Sequence, residues 1–423
     1  MDLSEMTPDG EANAGKGAPF TCTGTVASVL VNGEANIMVS KDGFTLTSTL
    51  DATRVTWAEV VKIQCEDYVV HVNTKSSKYD LFKLGYDTDP LYAHMLSAYG
   101  DKVRKALFVK GSPLVRAKGN VGAVQGVPIE IYDDCILSLP PDLSARRVPL
   151  SFVTGFKDDG FTISVSTMDG KETVYSKLGY EHDPASRAIQ DAVKAQREKT
   201  IDQVTELAPQ INAEQASRLA RCLPEGMAAP IGVVRGISPS LADALEGKIA
   251  KSRAAETYKA FRGISGEEAI CIGFKKNDMA PFGEADAANP EAAAQFPGNG
   301  AEDGGQEADP YMLWLIAPTP GKNACAVEFA GAADASAATF VYKFSGAWDD
   351  FRVKLGMALE AIAFKREIIR LSDAELEKNE NADYRMANDR NEAVRFVRAC
   401  FVGRAIHRSM DSWKSQVEDL LSD

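Results

Sequence analysis

The tetrapeptide Lys-Leu-Gly-Tyr occurs twice in this chain, at Lys83–Tyr86 and at Lys177–Tyr180, 94 residues apart. Its flanks repeat as well. Asp89-Pro90 and Asp183-Pro184 keep the spacing of 94, while Val55–Val60 aligns with Val148–Val153, and Gly33 with Gly126, at 93. One single-residue gap between the two anchors accounts for the difference. A four-residue match alone arises by chance, but one with coherent flanks on both sides reads as a duplicated unit. A duplication constrains the fold more than any other feature here, because both copies must then solve the same packing problem.

Each unit reads as short strands followed by one helix. In the first, Phe44–Thr49, Arg54–Trp57, Tyr68–Thr74 and Tyr79–Leu84 carry the β-rich, alternating pattern of half-buried strands. Cys135–Leu139, Val148–Phe152, Phe161–Thr167 and Thr173–Leu178 mirror them in the second. Asp42-Gly43 and Asp169-Gly170 supply tight-turn chemistry, since glycine tolerates positive φ. Asp89 and Asp183 are expected to cap the helices, with Pro90 and Pro184 at the first helical position, where a missing N–H costs nothing. Leu91, Met95, Leu96, Val103 and Leu107 form one apolar stripe; Ala185, Ala188, Ile189, Ala192 and Val193 form the other. The shared KLGY-x-x-DP segment is thus explained as a strand-to-helix junction, with a ligand loop as the alternative.

A meander of strands closed by one C-terminal amphipathic helix resembles the pleckstrin-homology (PH) superfamily, most closely its bacterial PH-like and GRAM-like variants. VTWAEVVKIQ (Val55–Gln64) and VPLSFVTGFK (Val148–Lys157) carry the resemblance, with the junctions Lys83–Pro90 and Lys177–Pro184. It implies an α+β chain with two tandem PH-like β-meander or barrel units, at 18–110 and 111–203. Such units bind lipid head groups or peptides, or act as scaffolds, and the fold alone does not choose among these.

The remainder divides by composition. Residues 1–17 read as a polar, disordered leader with no targeting signal. Residues 204–263 read as a helical insert: Asn212 and Gln215 offer a capping pair, and Ser238-Pro239 opens another helix. Residues 264–371 read as strands followed by a helix over about Ala347–Leu371, a candidate third, diverged copy. Inside it, 277–310 holds eight acidic residues and no Lys or Arg, the composition of a disordered loop. Residues 372–423 read as helical, with Val397, Phe401, Ala405, Met410, Trp413, Val417 and Leu420 at three- and four-residue steps.

Charge and cysteine usage narrow the function classes. The chain has 423 residues and a formal net charge of −13, which argues against a generally basic nucleic-acid binder. Residues 1–110 carry 11 basic and 14 acidic groups, and 111–200 carry 11 and 12, so neither unit is strongly drawn to an anionic surface. No apolar run is long enough to span a membrane. The seven cysteines are scattered without C-x2-C spacing, which fits reduced thiols in a cytoplasm rather than zinc or a disulfide framework.

No chemical motif stands out. His71, His94, His182 and His407 lack metal-ligand spacing, and no Walker A, G-x-S-x-G or G-x-G-x-x-G pattern is present. Ser265 in Gly263-Ile-Ser-Gly266 reads as a helix stop. Lys41 and Arg54 in the first unit, and Arg146, Arg147 and Lys157 in the second, are too few for a phosphate clamp; Arg146-Arg147 reads as a solvated turn. The C-terminal set Arg385, Arg390, Arg395, Arg398, Arg404, His407, Arg408 and Lys414 reads as salt-bridged helix faces, with the acidic loop as a conceivable intramolecular partner. No residue is assigned to catalysis, a cofactor or a metal, and the ligand-binding residues stay open. The reading leans against an enzyme and toward a non-catalytic protein that binds a peptide, protein or small ligand, or scaffolds an assembly. The motive is an exposed strand edge beside the closing helix. The alternatives are peripheral membrane contact through the tandem units and an enzyme with a dispersed site.

Overall fold

The computed structural model describes residues 19–276, 310–330 and 338–422. The leader and nearly all of the acidic segment 277–310 lie outside the described residues. The chain forms two units: the residues up to Ala106 together with Leu139–Ala145, and Leu107–Ser138 together with Arg146 onward.

The first unit is one seven-stranded antiparallel sheet and a helix. Its strands are β1 (Phe20–Ala27), β2 (Asn32–Ser40), β3 (Gly43–Thr47), β4 (Ala52–Thr56), β5 (Val60–Glu66), β6 (Val69–Thr74) and β7 (Lys78–Phe82), followed by α1 (Thr88–Ala106). The order is β4-β3-β2-β1-β7-β6-β5, and among the described residues no pairing joins β4 to β5 to close a barrel. Alternation buries Ile37, Phe44, Leu46, Val70, Val72 and Leu81, and Leu91, Met95 and Val103 of the helix are buried as well.

The second unit begins with the same design. Strands β8 (Val115–Val121), β9 (Val124–Ile131), β10 (Cys135–Ser138), β11 (Arg146–Pro149), β12 (Val153–Asp158), β13 (Thr162–Thr167) and β14 (Glu172–Ser176) precede α2 (His182–Leu207). Their order, β11-β10-β9-β8-β14-β13-β12, repeats the first sheet position by position. Register repeats at the outer edge, although β8–β9 carries a bulge that β1–β2 lacks. β5 pairs with β6 through Val60↔Thr74, a bulge, then Lys62↔Asn73 and Ile63↔Val72. β12 pairs with β13 through Val153↔Thr167, a bulge, then Gly155↔Ser166 and Phe156↔Val165. Each of these residues is displaced by 93, whereas β7 and β14 are displaced by 94 (Leu81 and Tyr175 face Val70 and Ile163). The single-residue gap therefore lies in the turn after β6 and β13.

The helix starts differ from expectation. A 3-10 turn, Gly85–Asp87 or Gly179–Glu181, runs straight into each helix, which starts at Thr88 or His182. Asp89 and Asp183 therefore lie in the first turn, where they favour the helix dipole, and neither is a cap. Pro90 and Pro184 fall at the third helical position rather than the first.

The third sheet is a simple meander of β15 (Ala229–Pro230), β16 (Cys271–Lys276), β17 (Tyr311–Pro318), β18 (Ala324–Ala330), β19 (Ala338–Lys343) and β20 (Phe401–Ile406) in sequence order. That order differs from the other two sheets. Both faces are covered, so its strands are mostly apolar. Ile272, Leu313, Leu315 and Val341 pack on one side with Leu241, Leu245, Phe261 and Trp413. Cys271, Trp314, Val327 and Tyr342 pack on the other with Phe351, Leu355, Leu359 and Val397. Two expectations are corrected here. The helix anticipated over Ala347–Leu371 ends at Ala361, because Ala363 and Phe364 take positive φ (48° and 62°). Phe401–Ile406, expected to be helical, is a strand, because β19 leaves an edge that it pairs.

Candidate functional site

The two repeats can be compared at one sheet edge, the outer side of the strand that ends each sheet's order. In the first unit that edge is β5, and Leu139–Ala145 lies along it. Pro140-Pro141 makes this segment extended, because each proline fixes its own φ and excludes helical geometry from the residue before it. The Ile63 N–H donates to the Pro141 carbonyl at 2.9 Å, and Lys62 pairs with Asp142 in an antiparallel bridge. From α1, the Tyr99 hydroxyl donates to the Asp142 carbonyl at 3.0 Å. Asp142 Oδ1 accepts from the Ser144 N–H at 2.7 Å, which holds the segment's exit. Pro140 and Ala145 are buried. This is β-strand addition carried out within one unit: backbone bonds hold the segment, and the helix supplies one side-chain contact.

In the second unit the equivalent edge is β12. The matched register turns the N–H and C=O of Phe156, like those of Ile63, away from the neighbouring strand. Among the described residues, no backbone bond outside the β13 ladder reaches 154–157. The ends of the strand are fixed. An Arg197 guanidinium N–H donates to the Val153 carbonyl at 3.3 Å. At the far end His182 Nε2–H donates to Asp158 Oδ1 at 2.9 Å, and the Ser186 hydroxyl donates to Oδ2 at 2.5 Å. The Ser186 hydroxyl, the Gly160 N–H and His182 together hold the Asp158 carboxyl down at about 2. Ser, His and Asp meet here without forming a nucleophilic triad, since serine and histidine both bond the aspartate and not each other.

The second unit also contains a polar cavity of about 170 Å³. Arg147 on β11 donates from Nη1 and Nη2 to the two carboxylate oxygens of Glu360 at 2.5 and 2.6 Å, and from Nη2 to Asp134 at 2.9 Å. Its side chain is only 3% exposed, which corrects the solvated-turn reading. Burial pushes the Glu360 carboxyl up, and the Arg147 charge opposes that rise. Burial likewise disfavours the Glu225 anion, but Lys275 and Lys199 outweigh it and lower the pKa. The charges on this cavity wall thus neutralise one another. Asp134 Oδ1, Arg147 Nε and Ser151 Oγ are buried without a protein partner, and the cavity has room for water to bond them. This is an ion-pair joint between the second repeat and the helix Trp348–Ala361.

The other residues singled out above have structural roles. His71 Nδ1 faces Asp80 across β6 and β7, and His94 Nδ1 bonds the Pro90 carbonyl. His407 Nε2 lies 3.1 Å from the buried carboxylate of Glu328. Ser265 is the last residue of its helix. Lys41 lies in the β2–β3 turn and Arg54 on β4, both exposed. At the C-terminus, Arg398 donates to the carbonyls of Ile368 and Leu371, Arg395 to those of Asn388 and Asp389, and Arg385 to Glu377. These side chains chiefly bond nearby carbonyls, beyond the face-to-face ion pairs expected. All seven cysteines are free. Burial pushes the thiol of Cys22 up to about 11 and that of Cys271 up to about 12, so both stay protonated at neutral pH.

KLGY resolves residue by residue. Lys83 and Lys177 have φ of 54°, and Gly85 and Gly179 have φ of 60° and 61°. Leu84 and Leu178 are buried, each against a glycine (Gly24 and Gly119). Tyr86 and Tyr180 are fully exposed, so the backbone path and the leucine explain the repeat and the tyrosine packs on nothing.

Sequence reasoning did not single out Pro140-Pro141 or Glu360. The paired prolines were a readable signal for an extended segment, whereas Glu360 lies 213 residues from its partner Arg147 and carries no local mark. The fold and these features define a mixed α+β protein with two matching seven-stranded antiparallel sheets, a third sheet and many helices. No family model matches the chain, and no curated protein matches it in sequence. Among the described residues, no helix is long and apolar enough to cross a membrane.

Proposed function

We propose that this chain is a non-catalytic binding or scaffolding protein of the cytoplasm, built on two PH-like units, whose sheet edges take up extended segments of peptide or protein. One observation carries the reading: the edge of β5 already holds Pro140–Asp142 by backbone bonding beside α1. The duplicated edge on β12 has the same register and no such occupant among the described residues. Edge strands with unpaired backbone groups are templates for strand addition. Capture from a native extract by the full chain tests this. Partners should be retained by the wild type and lost from Phe156→Pro, which removes the outward N–H of an edge strand that can tolerate proline. Equal capture by a Phe156→Pro protein that melts like the wild type would contradict the reading.

A second reading, contact with a membrane surface, is favoured by a different observation. The β1–β2 and β3–β4 turns of the first unit lie at the same end of its sheet. There Val29 is 94%, Leu30 54% and Leu50 90% exposed. Ser28 and Ser48 fix these tips: their hydroxyls accept the N–H groups of Val31 (2.9 Å) and Asp51 (3.0 Å). Apolar tips held outward in this way can enter the head-group region of a bilayer. Co-sedimentation of the full chain with vesicles, lost on Leu50→Asp, supports this reading; no co-sedimentation removes it.

A further inference from the structure

We infer that the β12 edge selects an extended segment that places an acidic residue immediately before a proline or other apolar residue; this rests on the reading of the sheet edges given above. The register of the segment on β5 carries over to the matching edge of the copy. On β5, Lys62 is bridged to Asp142 and the Ile63 N–H bonds Pro141, so an antiparallel segment runs with 141 beside Ile63 and 140 beside Gln64. The positions matching Lys62, Ile63 and Gln64 are Gly155, Phe156 and Lys157, as the shared bulge and ladder require. A segment in the same register on β12 therefore has its 142-like residue opposite Gly155, its 141-like residue beside Phe156 and its 140-like residue opposite Lys157.

The chemistry at these positions differs between the copies. Gln64, which is neutral, faces an uncharged Pro140 in the first unit, whereas Lys157 is exposed and makes no ion pair among the described residues. Directly opposed side chains on adjacent antiparallel strands interact, and opposite charges are favoured there. An acidic residue at the 140-like position is thus matched to Lys157. At the 141-like position the segment's carbonyl accepts the Phe156 N–H. Proline suits that place, as Pro141 shows, and a non-proline residue there adds an N–H bond to the Phe156 carbonyl. The hydroxyl of Tyr99 has no counterpart, since Val193 occupies that place on α2. The β12 site therefore lacks one of the bonds that fix the first segment, which suits a partner that comes and goes.

The probe is a ten-residue peptide with the sequence of 137–146 carrying Pro140→Glu, compared with the same peptide carrying Pro140→Lys. Both are added to the full chain, and amide hydrogen exchange and fluorescence anisotropy are recorded. At saturation the Pro140→Glu peptide should slow exchange at Phe156 by at least about tenfold. It should bind about fivefold more tightly than the Pro140→Lys peptide at low salt, a preference that fades in high salt. Lys157→Glu, an exposed change, should reverse the preference. Absence of slowing at Phe156, or a charge preference that Lys157→Glu leaves unchanged, overturns the inference. If peptides of unrelated sequence slow exchange at 154–158 while these two do not, the inference falls and the edge-binding reading stands. If no peptide slows exchange at any sheet edge, both fall.

Discussion

Arg147 is surrounded by carboxylates within a protein interior, and that position fixes what its loss would do. A buried ion pair contributes little net stability, but removing one member strands the other in a low-dielectric site. Arg147→Ala should destabilise the second unit by about 3–5 kcal/mol, read from the urea midpoint. Arg147→Met combined with Glu360→Leu should recover part of the loss, because the buried Glu360 charge leaves with its partner while Asp134, a third exposed, keeps contact with water. Asp158 makes a pH prediction. Its carboxyl is held at about 2 in the folded chain against an ordinary value of 3.8. A depressed folded pKa gives stability that is present above the unfolded value and lost as pH falls through the folded one. Asp158 should therefore stabilise the folded chain at neutral pH by an amount that solvent screening keeps small, fading between roughly pH 4 and pH 2. Asp158→Asn should flatten the stability–pH curve in that window, and an unchanged slope would refute the assignment.

At the scale of single elements, the repeats show which parts of a sequence speak for themselves. Strands with strict alternation, such as Val69–Thr74 and Thr162–Thr167, were legible because one face is buried and the pattern is local. Phe401–Ile406 was not. Its apolar residues fit a helical spacing, and the partner that makes it a strand, β19, lies about 60 residues earlier. The break after Ala361 was equally silent, since it rests on positive φ at Ala363 and Phe364, with neither glycine nor proline to announce it. Asp89 and Asp183 failed as caps because a 3-10 turn satisfies the helix start before they are reached. The leucines of the junction lead to a comparison between the copies. A Cβ on Gly119 would meet the Ser176 carbonyl oxygen at 2.6 Å, whereas on Gly24 the nearest atom is a Leu84 methyl at 2.6 Å, with backbone at 3.2 Å. Side chains yield more readily than backbone. Gly119→Ala should cost about 1–3 kcal/mol and Gly24→Ala distinctly less, measured by thermal unfolding; equal costs would show that the junctions are not packed as described.

Across the whole molecule, two sheets share one strand order and, apart from a bulge between β8 and β9, one register, while a third sheet has a different design with both faces covered by helices. The duplication could be read because it leaves two written copies, and its one-residue gap maps to a single turn. The candidate site was barely legible: an exposed edge could be anticipated from the pattern, but not which edge would be filled. That depends on a pairing between Ile63 and Pro141, which no local periodicity encodes. The ion-pair joint was equally hidden, since Arg147 and Glu360 meet only in the folded chain. The central claim is that one edge is occupied from within and its copy is open. Hydrogen exchange of the unliganded full chain, resolved at single amides, tests it most directly. The Ile63 amide, bonded to Pro141, should exchange at least about a hundredfold more slowly than the Phe156 amide; equal rates at the two positions would contradict it.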